Sequence, residues 1–109
     1  MYQTAARVIN ILPHDVNERL KRGEQLNIID VREHQEVARG KIPGAKHIRL
    51  AELPDRLHEI DPDKETILVC RSGNRSAKAC EYLMSRGYRN VKNMLGGMNA
   101  WQGDIEVSL

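Results

Sequence analysis

The sequence predicts an α/β layered domain: a mainly parallel sheet of five strands flanked by helices. Three observations carry this. Short apolar runs alternate with helical patterns along the chain. The run "TILVC" (Thr66–Cys70) is apolar at consecutive positions, the pattern of a strand covered on both faces. Apolar residues make up 40% of the chain but aromatics only 4%, with no Phe. The core is then mostly Ile, Leu, Val, Ala and Met, which suits a helix-covered sheet.

In chain order, "VINIL" (Val8–Leu12) is the first strand candidate. Pro13 opens a helix with Val16 and Leu20 four apart on one face, and Gly23 ends it. "LNIID" (Leu26–Asp30) is the second strand, followed by a polar segment whose inward candidates are Val37 and Ala38. Gly40, Pro43 and Gly44 mark a loop, and "AKHIRL" (Ala45–Leu50) the third strand. Leu53, Leu57 and Ile60 form a helical stripe before the turn "DPDKE". After the Thr66–Cys70 strand, Ala77, Cys80, Leu83 and Met84 share one face of a helix over Asn74–Arg86, capped by Gly87. "NVKNML" (Asn90–Leu95) is the fifth strand and Asn99–Trp101 a final short helix.

With 109 residues the chain is expected to form one domain spanning 1–109. A net charge of +2, with no run of five like charges, excludes an electrostatic case for nucleic acid or a membrane surface. The N-terminus "MYQTAARVINILPHD" lacks a basic head before an apolar stretch of signal-peptide length, and no segment approaches a membrane span. The expected compartment is the cytoplasm, where Cys70 and Cys80 stay as thiols. His14, His34, His47 and His58 are scattered without ligand spacing, so no metal site and no cofactor are expected, and all four read as surface residues.

Chemistry concentrates in "VCRSGNRS" (Val69–Ser76). In parallel sheets the working site lies beyond the carboxyl ends of the strands, where Cys70 and Asp30 both fall. A reactive cysteine needs surroundings that favour the thiolate. The helix N-terminus near Asn74, the curl permitted by Gly73 and the charges of Arg71 and Arg75 supply them. Cys80, on an apolar helix face, reads as core. A cysteine-dependent phosphatase loop places Arg after five intervening residues, whereas Arg75 follows Cys70 after four. The shorter loop suits one extra sulfur atom rather than a tetrahedral oxyanion. No general acid for phosphate chemistry is evident, and sulfur transfer with a stable leaving group such as sulfite needs none.

Three separated motifs resemble the rhodanese (thiosulfate sulfurtransferase) family in its single-domain form. "IIDVREHQEVARGKIPGAKHIRL" (Ile28–Leu50) is similar to its Asp-x-Arg…Gly-x-Ile-Pro-Gly-Ala segment. "LVCRSGNRSAKA" (Leu68–Ala79) is similar to its active-site loop, and "LGGMNAW" (Leu95–Trp101) to its Gly-Gly-x-x-Ala-Trp ending. The resemblance implies a rhodanese-like three-layer α/β domain in which Cys70 cycles between thiolate and persulfide. It implies that the amides of Arg71, Ser72, Gly73, Asn74, Arg75 and Ser76 cradle the terminal sulfur. Asp30 and Arg32 match the Asp-x-Arg element. Asp30 either holds Arg75 or the loop amides in place, or serves as a cap or ion-pair partner. For Arg32 an ion pair with Glu36 is expected. Gly44 is assigned to a turn, Gly96 and Gly97 to close backbone approach near the loop, and Trp101 to packing.

The expected function is sulfur transfer from a donor such as thiosulfate or a persulfide to cyanide or a thiol acceptor. The alternative is a persulfide carrier that relays sulfur between partner proteins and turns over small donors poorly. Neither involves nucleic acid or a membrane.

Overall fold

The computed structural model describes residues 7–107. The stretch examined for a leader begins in residues 1–6, outside the described residues. Five strands, β1 (Ile9–Ile11), β2 (Asn27–Asp30), β3 (Lys46–His47), β4 (Thr66–Val69) and β5 (Val91–Met94), form one sheet in the order β1-β5-β4-β2-β3. Every pairing is parallel, so the sheet goes beyond the mainly parallel expectation.

Side chains of successive strand residues point to opposite faces, and both faces of this sheet are buried. Ile67 and Val69 of β4 join Ile11, Val16, Ile28, Ile42, Ala45 and Met94 on one side. Leu68 and Cys70 join Ile29, Val31, Leu53, Ala79, Cys80 and Leu83 on the other. This is why Ile67–Cys70 carries no polar position. Helix α1 (Pro13–Lys21) covers the first face through Val16 and Leu20. Helix α3 (Asn74–Ser85) covers the second.

Several elements differ from expectation. The third strand contracts to Lys46–His47, because Ile48 and Leu50 turn back to donate hydrogen bonds to the carbonyls of Asp30 and Val31. The Leu53–Leu57–Ile60 stripe does pack on the core, but over a 3-10 segment, Leu50–Glu59. Pro54 lacks an amide proton and Arg56 leaves helical geometry, so a regular α-helix cannot run through. Tyr88 closes this segment by donating its hydroxyl to the carbonyls of Leu57 and Ile60. On α3 the buried face is Ser76, Ala79, Cys80 and Leu83, while Ala77 and Met84 are half-buried. The polar segment after β2 contains a four-residue helix α2 (His34–Val37) whose Val37 is half-buried and Ala38 exposed, so neither is core. The final turn is Gly97–Ala100 rather than Asn99–Trp101. Of the histidines, His47 is half-buried and its Nε2 lies 2.6 Å from the Arg32 carbonyl.

At the amino end of the sheet, Glu65 pairs with Arg19 of α1 at 2.6 Å and with Lys92 of β5 at 2.5 Å. Its carboxyl is held down at about 2, chiefly by the Arg19 hydrogen bond. The folded value lies below the unfolded one, so this stability is present at neutral pH and lost as pH falls from 4.5 towards 2. Glu65→Gln is expected to cost about 1–2 kcal/mol, less than the full shift because water reaches the pair. Urea unfolding at pH 7 and pH 3 checks it: the difference between variant and wild type should shrink at the lower pH.

Candidate active site

The strand β4 ends at Val69, and Cys70 begins the loop that leads into α3. Gly73 is the N-terminal cap of that helix with φ +99°, a backbone state glycine adopts without strain. The resulting curl aims hydrogen-bond donors at the sulfur. The Gly73 N–H lies 3.1 Å from Cys70 Sγ and the Ser76 N–H 3.3 Å, and the Ser76 hydroxyl lies 3.2 Å away. Burial pushes the Cys70 thiol up. Hydrogen bonds from Ser76, Gly73 and Ser72 pull it down, and they prevail: the thiol ionises below its ordinary range. Cys80 has no such donors, and burial pushes its thiol up to about 12. Two cysteines ten positions apart thus depart from the ordinary thiol range in opposite directions.

Cys70 is 0% exposed, whereas Arg71, Ser72 and Asn74 around it are exposed. Among the described residues no hydrogen bond runs from Arg71, Asn74 or Arg75 to the sulfur. The Arg75 guanidinium instead pairs bidentately with Glu36 of α2, at 2.7 and 2.8 Å. That pair holds the Glu36 carboxyl at about 2. Glu36 is the residue that sequence reasoning missed, having placed it beside Arg32. Arg32 actually engages Asp30: its Nε lies 2.9 Å from Oδ1 and its Nη2 2.8 Å from Oδ2. Both residues are buried, and Arg32 Nη2 also donates to the Gly40 carbonyl at 2.8 Å. Of the two roles weighed for Asp30, the geometry matches the ion pair. Asp30 sits beside the loop, with β2 and β4 in register at Asp30 and Val69, but its carboxylate does not reach the loop amides or Arg75.

The opposite side of the loop is closed by Gly97. A Cβ there would strike the Cys70 carbonyl oxygen and, at 2.6 Å, the carbonyl group of Arg71. Met98 and Asn99 donate their N–H groups to those same carbonyls, at 2.8 and 2.9 Å. Gly73, in turn, packs against the Gly96 amide. The close approach expected of the two glycines is therefore present. Trp101 is half-buried and packs against Val16's side of the core.

Arg75 and Glu36 bias the cysteine in opposite directions. Glu36→Gln leaves the guanidinium charge uncompensated and is expected to lower the pH midpoint of Cys70 alkylation. Arg75→Ala leaves Glu36 bare and is expected to raise it. Each change should alter the alkylation rate below the midpoint by about threefold, a modest effect because both groups are partly solvated. Shifts of the same sign in both variants would contradict the arrangement.

Among the described residues, no group of three or more His, Cys, Asp or Glu side chains could hold a metal ion. No helix among them is long and apolar enough to cross a membrane.

The class is that of parallel α/β domains in which a central strand runs directly into a cysteine loop, here with the Gly73 and Ser76 amides facing the buried Cys70 sulfur. Residues 12–104 match the family model described as a rhodanese-like domain, and the chain belongs to that family. The Bacillus subtilis protein YtwF, provisionally named a sulfurtransferase, is 46% identical over 91 residues, covering 84% of this chain and 87% of its own length. A sulfurtransferase of Allochromatium vinosum is 41% identical over 86 residues, covering 79% and 80%. The crystal structure of a rhodanese-like domain protein from Staphylococcus aureus superposes with a TM-score of 0.87 at 34% identity, covering 94% of this chain and all of that one. The rhodanese-like α/β fold is thereby established, and the family's chemistry is sulfur transfer.

Proposed function

We propose that the protein moves sulfane sulfur from a small anionic donor to a thiophilic acceptor through a persulfide on Cys70. The observation that carries this is the convergence of the Gly73 and Ser76 N–H groups on Cys70 Sγ at 3.1 and 3.3 Å. Such a cradle stabilises a sulfur anion without needing a proton source or a metal. In the first step the Cys70 thiolate attacks the outer sulfur of thiosulfate. The sulfur–sulfur bond of the donor breaks and its electron pair leaves with sulfite. The new terminal sulfur carries the negative charge and occupies the loop, with Arg71 adding positive charge nearby. A cyanide or thiolate acceptor then attacks that terminal sulfur, and the Cys70 thiolate is regenerated. Because the sulfur is covered in the free protein, loading requires the exposed residues Arg71, Ser72 and Asn74 to admit the donor.

The experiment is intact-mass measurement after incubation with thiosulfate, followed by cyanide and detection of thiocyanate. Wild type should gain one sulfur atom and release it to cyanide, and Cys70→Ser should gain none. No gain on wild type, or an equal gain on Cys70→Ser, overturns the proposal. Loading from a protein persulfide but not from thiosulfate would assign the chain to a sulfur-relay carrier instead. Cys70-dependent hydrolysis of an aryl phosphate would assign it to phosphatase chemistry.

A further inference from the structure

We propose that Asn93 is a positioning residue that competes with the Cys70 sulfur for the one proton of the Ser76 hydroxyl. Asn93 is 4% exposed, on β5, in a strand otherwise closing the core. Its Nδ2 lies 3.2 Å from the Gly73 carbonyl and 3.2 Å from Asn10 Oδ1. A carbonyl can only accept, so Gly73 fixes which end of the Asn93 amide is the donor. The other end, Oδ1, then faces Ser76 Oγ at 2.5 Å. Two oxygens at that distance need a proton between them, and the Ser76 hydroxyl is its source. The hydroxyl has only one.

With that proton on Asn93, Ser76 presents lone pairs to Cys70 Sγ at 3.2 Å. Lone pairs suit a thiol, which can donate S–H to them, and oppose a thiolate. For the thiolate to gain the hydroxyl as a donor, the proton must rotate to the sulfur, leaving Oδ1 and Oγ in contact without it. A buried acceptor left unpaired in this way is costly. Asn93 therefore caps what Ser76 contributes, and the Gly73 and Ser76 amides carry most of the anion. The same side chain holds the Gly73 carbonyl, so it sets both the curl of the loop and the hydroxyl within it.

The charged groups around the loop are common to all the variants below: Arg71, Arg75 of α3, Glu33 and Glu36 at α2, and the Asp30–Arg32 pair at β2. From β5 the charged side chain is Lys92, which is turned to Glu65. The segment Gly97–Ala100 carries none.

The inference rests on Cys70 being the reacting sulfur, but its test reads ionisation rather than sulfur transfer. The rate of iodoacetamide alkylation is followed against pH in wild type, Ser76→Ala, Asn93→Ala and the double variant, each also checked by circular dichroism. Asn93→Ala frees the hydroxyl and should lower the midpoint, raising the rate below it by about tenfold, roughly one hydrogen bond's worth. Ser76→Ala should slow wild type by less than about threefold but slow the Asn93→Ala protein by about tenfold. Equal slowing in both backgrounds overturns the competition. If Asn93→Ala fails to fold, Ser76→Ala alone decides: a tenfold slowing in wild type means the hydroxyl already donates to sulfur, and the proposal falls. A protein that takes up no sulfur can still pass this test, so the two failures are distinguishable.

Discussion

Gly97→Ala is expected to cost about 2–4 kcal/mol and to remove sulfur uptake in whatever fraction stays folded. Two effects add. The backbone at Gly97 has φ +58°, which an L side chain occupies only under strain. More importantly, the new Cβ would overlap the carbonyl groups of Cys70 and Arg71, and these are main-chain atoms that cannot rotate aside. Relief requires the Gly97–Ala100 turn and the loop to separate. Separation breaks the hydrogen bonds from Met98 and Asn99 to those carbonyls. The loop would then lose the support that fixes Gly73 and Ser76 against the sulfur. Gly87→Ala is the control. It sits at φ +93° with nothing within 4 Å of its Cβ, so it meets strain alone, about 1 kcal/mol. Urea midpoints measure both variants, and mass spectrometry after thiosulfate measures sulfur uptake. A Gly97→Ala protein no less stable than Gly87→Ala would mean that the two segments do not pack as described.

What was legible in the sequence follows the range of the forces involved. Strand β4 was legible because burial on both faces leaves no polar position between Thr66 and Cys70. The activated cysteine was legible because its donors, Gly73 and Ser76, lie within six residues of it, so the loop's chemistry is encoded locally. The Leu53–Leu57–Ile60 stripe gave the right face but the wrong helix, since side-chain spacing reports burial while Pro54 decides the backbone. Glu36 was missed as the partner of Arg75 because 39 positions separate them, and one exposed-looking Glu in a polar segment carries no pairing signal. For Asp30 and Arg32 a signal was available. Residues two apart at a strand end lie on the same side, so each was the other's nearest opposite charge. Asn93 also left a trace, as an amide among the apolar positions of "NVKNML", and a buried amide has to find partners.

Arg32→Met should be the most destabilising single change outside the core, at about 3–5 kcal/mol, because it strands the Asp30 carboxylate. That carboxylate is 0% exposed, and Arg32 is 6% exposed. Three of the carboxylate's contacts come from the Arg32 guanidinium and a fourth from the Arg32 amide. Removing the guanidinium leaves a charge in apolar surroundings with one backbone donor. The test is a cycle with Asp30→Asn. If the cost is the uncompensated charge, the Asp30→Asn/Arg32→Met protein should recover at least half of what Arg32→Met loses, read as urea midpoints. If the double variant is as unstable as the sum of the singles, the pair is not a coupled unit and the account fails. The same cycle separates two roles for Asp30 near the cysteine. Arg32 reaches the carbonyls of Gly40 and Glu36, so the pair fastens the segment that bears α2. Glu36 on that helix holds Arg75, and Arg75 lies at the start of the helix whose amides face Cys70. Asp30 therefore acts on the sulfur through α2, at second hand. On that account Arg32→Met and the double variant should shift the Cys70 alkylation profile alike, since both lack the guanidinium that fastens α2, whereas a carboxylate acting directly on the loop would shift it only where Asp30 is replaced.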